Sequence, residues 1–506
     1  MSTHCIFAQY SIYTHTLAAM RIFNQLKCLF SLSFAILSFN ALAQTESASK
    51  TNWTLQEAIN YALKHNISIQ QNEINQRLAL LTLRQSQYAQ IPSLNMSPTY
   101  GISKGRSIDP TTNQFVEGSY EFLSASASSN VLVFGWFQQR NTITRNKLSY
   151  NAAQEDLNQL KNDVALNVAT GFLRVLMAKE QIRVNEKQVA LSLAQLQQTQ
   201  KFAAVGRVPE LNVAQLEAQL ASDSSALISA LSDYTASILD IKALLNLDFD
   251  QGFEATIPNL PMEERISIQS LNPEYVYQEA IKNIPSVKSS DLKLKSAKYS
   301  WNAARGGLLP QLSLSGQLGS NWTSTYKQVS GYGQTTNIKT DAFVQDASGN
   351  TYSVYQPYAV PTFSAPKMFT QLENNFRQTI SATLNIPIFN SWQTQFQVRQ
   401  ARLNIQTQEL NKYQTELKLK QDVYKAHNDA TNAIQKYYAA KRSQEAAQRA
   451  FDFADKRYEL GLTNTIEYLT TQNNLYKAEA SLLNSKYDLI FKLKVIDYYL
   501  GKQLTL

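Results

Sequence analysis

Apolar and polar positions along this chain follow two rhythms, and the order in which they alternate occurs twice. Thr54-Leu55-Gln56-Glu57 has the spacing of a capping box, a hydroxyl three residues ahead of a carboxylate, and opens a helix expected to run towards Ala89. Ile91-Pro92 ends it, because the residue before a proline is sterically biased out of the helical region. The period then drops to two. Leu94, Met96, Pro98, Tyr100 and Ile102 alternate with Ser93, Asn95, Ser97, Thr99 and Gly101, which predicts a strand with one apolar face. Pro98 removes a ladder donor and predicts a local bend. A polar loop around 107–118 leads to a second alternating run over 119–134, so 93–134 reads as a hairpin. From Phe137 the apolar positions Leu157, Leu160, Val164, Val168, Phe172 and Val175 return to spacings of three and four as far as Val205. At ~1.5 Å per residue this is a rod of roughly 100 Å, long enough to argue for a coiled-coil-like assembly. Gly206 interrupts it, and a return helix follows through Leu211, Leu216, Leu220 and Leu227 to about Leu245.

The second half repeats the plan. Ala62, Lys64, Ser68, Pro92 and Gly101 recur as Ala280, Lys282, Ser286, Pro310 and Gly319, 218 residues later. Phe134, Val168, Ala178, Lys201, Gly206 and Leu245 recur as Phe389, Val423, Ala433, Lys456, Gly461 and Leu500, 255 residues later. The helical pair therefore tolerates no net length change, as expected if both copies reach one height in an assembly. The 37 extra residues fall between Gly319 and Phe389, where the Tyr- and Pro-rich stretch 321–373 reads as a long loop. Its functional reading is recognition or plugging, and its bland one a tolerated surface insertion. The expected organisation is a presequence and signal peptide over 1–43, a first repeat over 52–246 with its hairpin near 93–134, and a connector over 247–271. A second repeat follows over 272–500 with its hairpin near 311–389, then a tail over 501–506. In the two bends Gly206 and Gly461 can take the left-handed conformation that stops a helix. Pro209 is then expected as an early helical residue and Asn464 as an N-cap.

All four alternating segments have a largely apolar face and a face of Ser, Thr, Asn, Gln and Arg. In the last, Phe376, Ile380, Ala382, Leu384 and Ile386 oppose Arg377, Thr379, Ser381, Thr383 and Asn385, with Gln378 as the one polar interruption. Strands of ~9–11 residues with apolar-out, polar-in alternation suit an outer-membrane barrel. A soluble sandwich would need a second sheet that this chain does not offer. Four strands cannot close such a barrel, and lipid tolerates no open edges, so protomers must share it. The expected fold class is thus an α+β membrane protein: a transmembrane antiparallel β-barrel shared between protomers, continuous with a long α-helical barrel and built from two structural repeats.

The N-terminus agrees with export. Arg21 and Lys27 precede an apolar run over 29–39 and then Ala41-Leu42-Ala43, a secretory signal whose start is Met20 on this reading. Cys5 and Cys28 both precede the expected cleavage site, which excludes structural disulfides and thiol catalysis from the mature chain. Removal of 1–43 takes two basic residues and lowers the net charge from +8 to +6, with no basic stripe pointing to nucleic acid. Beyond the signal only His65 and His427 remain, far apart, and no metal cluster, nucleophile elbow or P-loop is present. Catalysis is not expected, and no cofactor is implied.

The signal sequence, the junctions Ile91-Pro92-Ser93-Leu94 and Leu309-Pro310-Gln311-Leu312, the bends at Gly206 and Gly461 and the ending Tyr499-Leu500-Gly501 together resemble the TolC-type outer-membrane efflux protein family. The resemblance spans about residues 52–504. It implies a homotrimer in the outer membrane of a Gram-negative bacterium, with a twelve-stranded barrel and a twelve-helix periplasmic tunnel. The implied partners are a periplasmic adaptor (membrane fusion) protein, an inner-membrane pump and outer-membrane lipid, with no nucleic acid. It places Gly206, Arg207, Val208 and Pro209, and Gly461, Leu462, Thr463 and Asn464, at an adaptor-docking tip. The family's acidic constriction falls on Glu467 and Thr470, so this chain departs from a doubled acidic ring. Three Glu467 carboxylates near one axis would attract cations and repel each other; equally, Asn464-Thr465-Ile466-Glu467 has capping-box spacing, which would leave Glu467 a helix cap. The implied function is the passive exit duct of an efflux pump. Type I protein secretion and a structural or adhesive periplasm-spanning role are the alternatives.

Overall fold

A computed structural model of the chain describes residues 51–108, 115–256 and 272–502. The expected signal peptide, most of the connector and the last residues of the tail lie outside that range. The chain opens with β1 (Asn52–Trp53), α1 (Leu55–His65) and α2 (Ile67–Tyr88), then β2 (Ser93–Ile108) and β3 (Phe115–Phe134). The helical pair α3 (Gln138–Ala204) and α4 (Glu210–Leu245) follows, then β4 (Glu254–Ala255). The second half has α5 (Pro273–Asn283), α6 (Pro285–Gly306), β5 (Gln311–Thr323), β6 (Gln328–Gln345), β7 (Thr351–Ser364), α7 (Met368–Asn374) and β8 (Arg377–Asn385), and closes with α8 (Gln393–Glu459) and α9 (Thr465–Tyr499).

Corresponding helices have matching lengths. Helices α1 and α5 have 11 residues, α2 and α6 have 22, α3 and α8 have 67, and α4 and α9 have 36 and 35. Both long helices also start at a pair of left-handed residues that are not glycine, Trp136 and Phe137 in one and Ser391 and Trp392 in the other.

Several sequence expectations are corrected. The first helix is not continuous to Ala89: Asn66 leaves the helical region (φ −66, ψ 125) and its side chain accepts from the N–H groups of Ser68 and Ile69, so one helix ends and another starts there. At the matching place Pro285 occupies the first turn of α6, where its missing N–H costs nothing. The capping box at Thr54 and Glu57 forms as expected. Strands β2 and β3, of 16 and 20 residues, exceed the expected length, and their pairing continues to Ile108 opposite Phe115, taking in both ends of what read as loop, whose centre at 109–114 lies outside the described residues. Pro98 does not interrupt the ladder; it pairs with Ala125 in unbroken register, and the sheet's irregularity lies at Leu132/Phe134. β2 is an edge strand of this sheet, where proline is tolerated. The stretch 321–373 is not a loop: β6 and β7 form a separate two-stranded antiparallel ribbon, followed by α7. Finally, Pro209 is the N-cap of α4 (φ −69, ψ 150) and not a helical residue, its carbonyl accepting from the N–H of Asn212.

The main sheet has the order β2-β3-β5-β8, all antiparallel. The helices below it pack in the matching order α2-α3-α6-α8, with α4 against α3 and α9 against α8. The largest apolar core lies part-way along the helices, where Trp53, Ile69, Phe172, Leu176 and Ile241 gather around β1 and β4. Among the described residues the protomer is therefore a layer with two free margins, β2 with α2 and β8 with α8. Both helical margins carry an exposed apolar stripe. On α8, Phe396, Leu403, Leu410, Leu417 and Tyr424 are exposed at intervals of seven; on α2, so are Ile67, Ile74, Leu81 and Tyr88.

Candidate functional site at the helical bends

Each long helix ends by the same device. After α3, the Gly206 N–H donates to Ala203 O and the Arg207 N–H to Phe202 O, both at 2.9 Å; after α8, the Gly461 N–H donates to Tyr458 O and the Leu462 N–H to Arg457 O at 2.9 and 2.8 Å. This is the paired closure that satisfies the last carbonyls of a helix, and it requires φ above zero at the glycine. Gly206 and Gly461 have φ of +71 and +72, and no atom lies within 4 Å of where a Cβ would stand. Backbone conformation, not space, demands glycine at both places.

The residues flanking the glycines differ. In the first bend the Arg207 guanidinium lies 4.8 Å from the centre of the Phe202 ring, Val208 is half-buried and Pro209 is exposed. In the second, Asn464 Oδ1 accepts from the Glu467 N–H at 2.7 Å. The Glu467 carboxylate does not return to the cap backbone as a full capping box would. It accepts from Thr463 Oγ1 at 2.6 Å and pairs with Arg457 at 3.5 Å, and Arg457 also donates to Leu462 O. Glu467 and Arg457 side chains are each about half exposed. Thr470 is exposed, and its hydroxyl donates to Ile466 O within its own helix. Glu467 and Thr470 are thus brought to the exposed start of α9.

Two features were not anticipated from sequence. The first is an apolar fringe on the bends: Val205, Leu211, Leu460 and Ile466 are exposed beside the expected Leu462. They fall outside helical periodicity because they surround the breaks. The second is a buried polar seam between the pairs α3–α4 and α8–α9. Tyr458 OH shares hydrogen bonds with Thr199 Oγ1 at 3.0 Å and Thr465 Oγ1 at 3.4 Å, joining one bend to the other. Gln195 donates to Asp455, and Tyr468, fully buried, stacks on Tyr458 with ring centres 4.7 Å apart. Burial pushes the Tyr468 phenol far above its ordinary value, aided by the nearby Asp455. Further up, Asp223 accepts from Gln188, Ser192 and Gln219, and Gln472 reaches across from α9 to Ser192. In sequence these Gln, Ser and Thr positions look like a solvated helix face, because polarity alone does not tell a buried seam from a wet one.

Among the described residues no group of three or more His, Cys, Asp or Glu is placed to hold a metal. His65 stacks on Tyr61 and contacts its carbonyl. No described helix is long and apolar enough to cross a membrane.

Residues 58–247 and 276–501 match the family model described as outer membrane efflux protein. The chain is 22% identical over 438 residues to the outer membrane efflux protein BepC of Brucella suis, covering 86% of this chain and 83% of that one. It is 20% identical over 477 residues to the outer membrane protein TolC of Escherichia coli, covering 93% and 85%. Among solved structures, the CmeC outer membrane channel of Campylobacter jejuni matches with a TM-score of 0.70 at 19% identity, covering 89% of this chain and 87% of CmeC.

Proposed function

The chain belongs to the outer membrane efflux protein family, proteins of the Gram-negative outer membrane with a periplasmic extension, and from that premise we propose that three copies close into the exit duct of an efflux pump. The observation that carries this is the pair of free margins. Strand order and helix order agree, so β8 with α8 of one copy faces β2 with α2 of the next, a head-to-tail contact of the kind that closes into a ring. The heptad stripes on α8 and α2 supply the apolar seam for it. Two copies would give eight strands, a barrel whose interior side chains fill it; three give twelve, wide enough to conduct. Each copy is read as two structural repeats, 52–246 and 272–500, joined by 247–271.

In this reading the bends are the periplasmic end. Gly206 to Pro209 and Gly461 to Asn464, with the apolar fringe of Val205, Leu211, Leu460 and Ile466, form the docking surface for a periplasmic adaptor protein. Glu467 and Thr470 stand at the constriction. Energy comes from an inner-membrane pump, and the chain itself has no catalytic step and no cofactor. The test is conductance of the purified protein in planar bilayers. A cation-preferring pore is expected, and protein that stays sealed after substitution at the bends would favour a purely structural role.

A further inference from the structure

Among the described residues the ribbon β6–β7 packs closely on no other helix or strand. Its strands have 18 and 14 residues, so at ~3.4 Å each it projects about 45–60 Å. A two-stranded ribbon is marginal alone in water and needs a third element against it. Its pairing register, with Val344 opposite Tyr352 and Phe343 opposite Ser353, sorts its side chains by face. Tyr332, Phe343, Tyr355 and Phe363 lie on one face; Ile338, Val344, Tyr352 and Tyr358 lie on the other; all eight are exposed. A membrane surface or a single docked partner would explain one such face. Two are what each member of a closed ring needs, one for the neighbour on either side.

Position and charge agree. The ribbon leaves β5 at Thr323, the end away from the helices, and returns through α7 to β8, the strand at the free margin. Between 328 and 364 the only charged residues are Lys339, Asp341 and Asp346. Asp346 is occupied within the ribbon tip by the N–H groups of Ser348 and Asn350 and by the Tyr352 hydroxyl. Identical copies meeting around an axis would therefore face little like-charge repulsion.

We propose that the β6–β7 ribbons of neighbouring copies pack face to opposite face into an aromatic collar at the outer mouth, a contact between copies beyond the shared barrel. This rests on the ring reading above. The test uses Lys339→Cys with Gln356→Cys. These polar positions lie at neighbouring levels on opposite faces, so they leave every ring in place and cannot join within one ribbon. Both natural cysteines, Cys5 and Cys28, precede the expected cleavage site, so the background is clean. Outer membranes holding the pair variant are treated with a short bis-maleimide, and most of the protein is expected in a three-copy band on denaturing gels, while each single variant stays monomeric. Copy number is read separately by light scattering. A trimer in which the pair does not cross-link, or in which a single variant links as well as the pair, overturns the collar and leaves the duct standing. Loss of the trimer in the unsubstituted protein sinks both.

Discussion

At the scale of single residues, the second bend sets Glu467 between two roles that the sequence left open. Its backbone N–H is capped by Asn464, but its carboxylate is held by Thr463 and Arg457, so it serves neither as a reciprocal cap nor as an isolated charge. If it lines the constriction, Glu467→Gln is expected to lower the cation preference of single channels, and Arg457→Gln to raise it by removing the offsetting charge. Reversal potentials in a salt gradient measure both; two unchanged values would confine Glu467 to shaping the bend. Tyr458→Phe removes the hydroxyl that ties Thr199 to Thr465 and leaves the buried Thr199 hydroxyl short of a partner. A loss of about 1 kcal/mol is expected, seen as a lower melting temperature in detergent. Gly461→Ala forces a Cβ into left-handed backbone with open space around it, a cost of about 1–2 kcal/mol with no steric clash to add. The glycines and the N-cap were legible because local backbone geometry admits few residue types. The Tyr458 bridge was not, since its partner is more than 250 residues away.

At the scale of elements, the seams between helices carry the electrostatics. Asp291 on α6 is held below the usual carboxylate range, first by Lys295 on its own helix and then by Lys412 on α8. A depressed pKa means that its stabilising share is present above the unfolded value, about 3.9, and is lost as pH falls through the lower folded value. Asp291→Asn is therefore expected to flatten the acid end of a stability profile below about pH 4, followed by helical circular dichroism, while leaving the profile near neutrality almost unchanged in shape. Periodicity found the helices and main strands because their amphipathic faces are local. It misjudged 321–373, because a ribbon that buries neither face has no apolar-in, polar-out alternation to betray it. It also missed the break at Asn66, where a side chain competing for backbone N–H groups overrides an unbroken helical pattern.

At the scale of the whole molecule, the uncovered heptads decide what one copy cannot do alone. Leu403→Asp with Leu410→Asp places charges in the α8 stripe without touching the protomer's own core. It is expected to yield folded monomers in light scattering, with helical content retained; persistent trimers would move the seam elsewhere. Chain order, the two offsets and the alternation of strand and long helix were settled by sequence alone, because each is a one-dimensional pattern imposed by backbone geometry and by which face meets water or lipid. Tertiary structure decided which edges stay free, that both bends are joined through a buried polar seam, and that the Tyr-rich insertion is a ribbon with aromatic side chains exposed on both faces. Those depend on contacts between residues hundreds of positions apart, and a polar helix face or an exposed leucine looks the same in sequence whether it meets solvent, its own chain or the next copy.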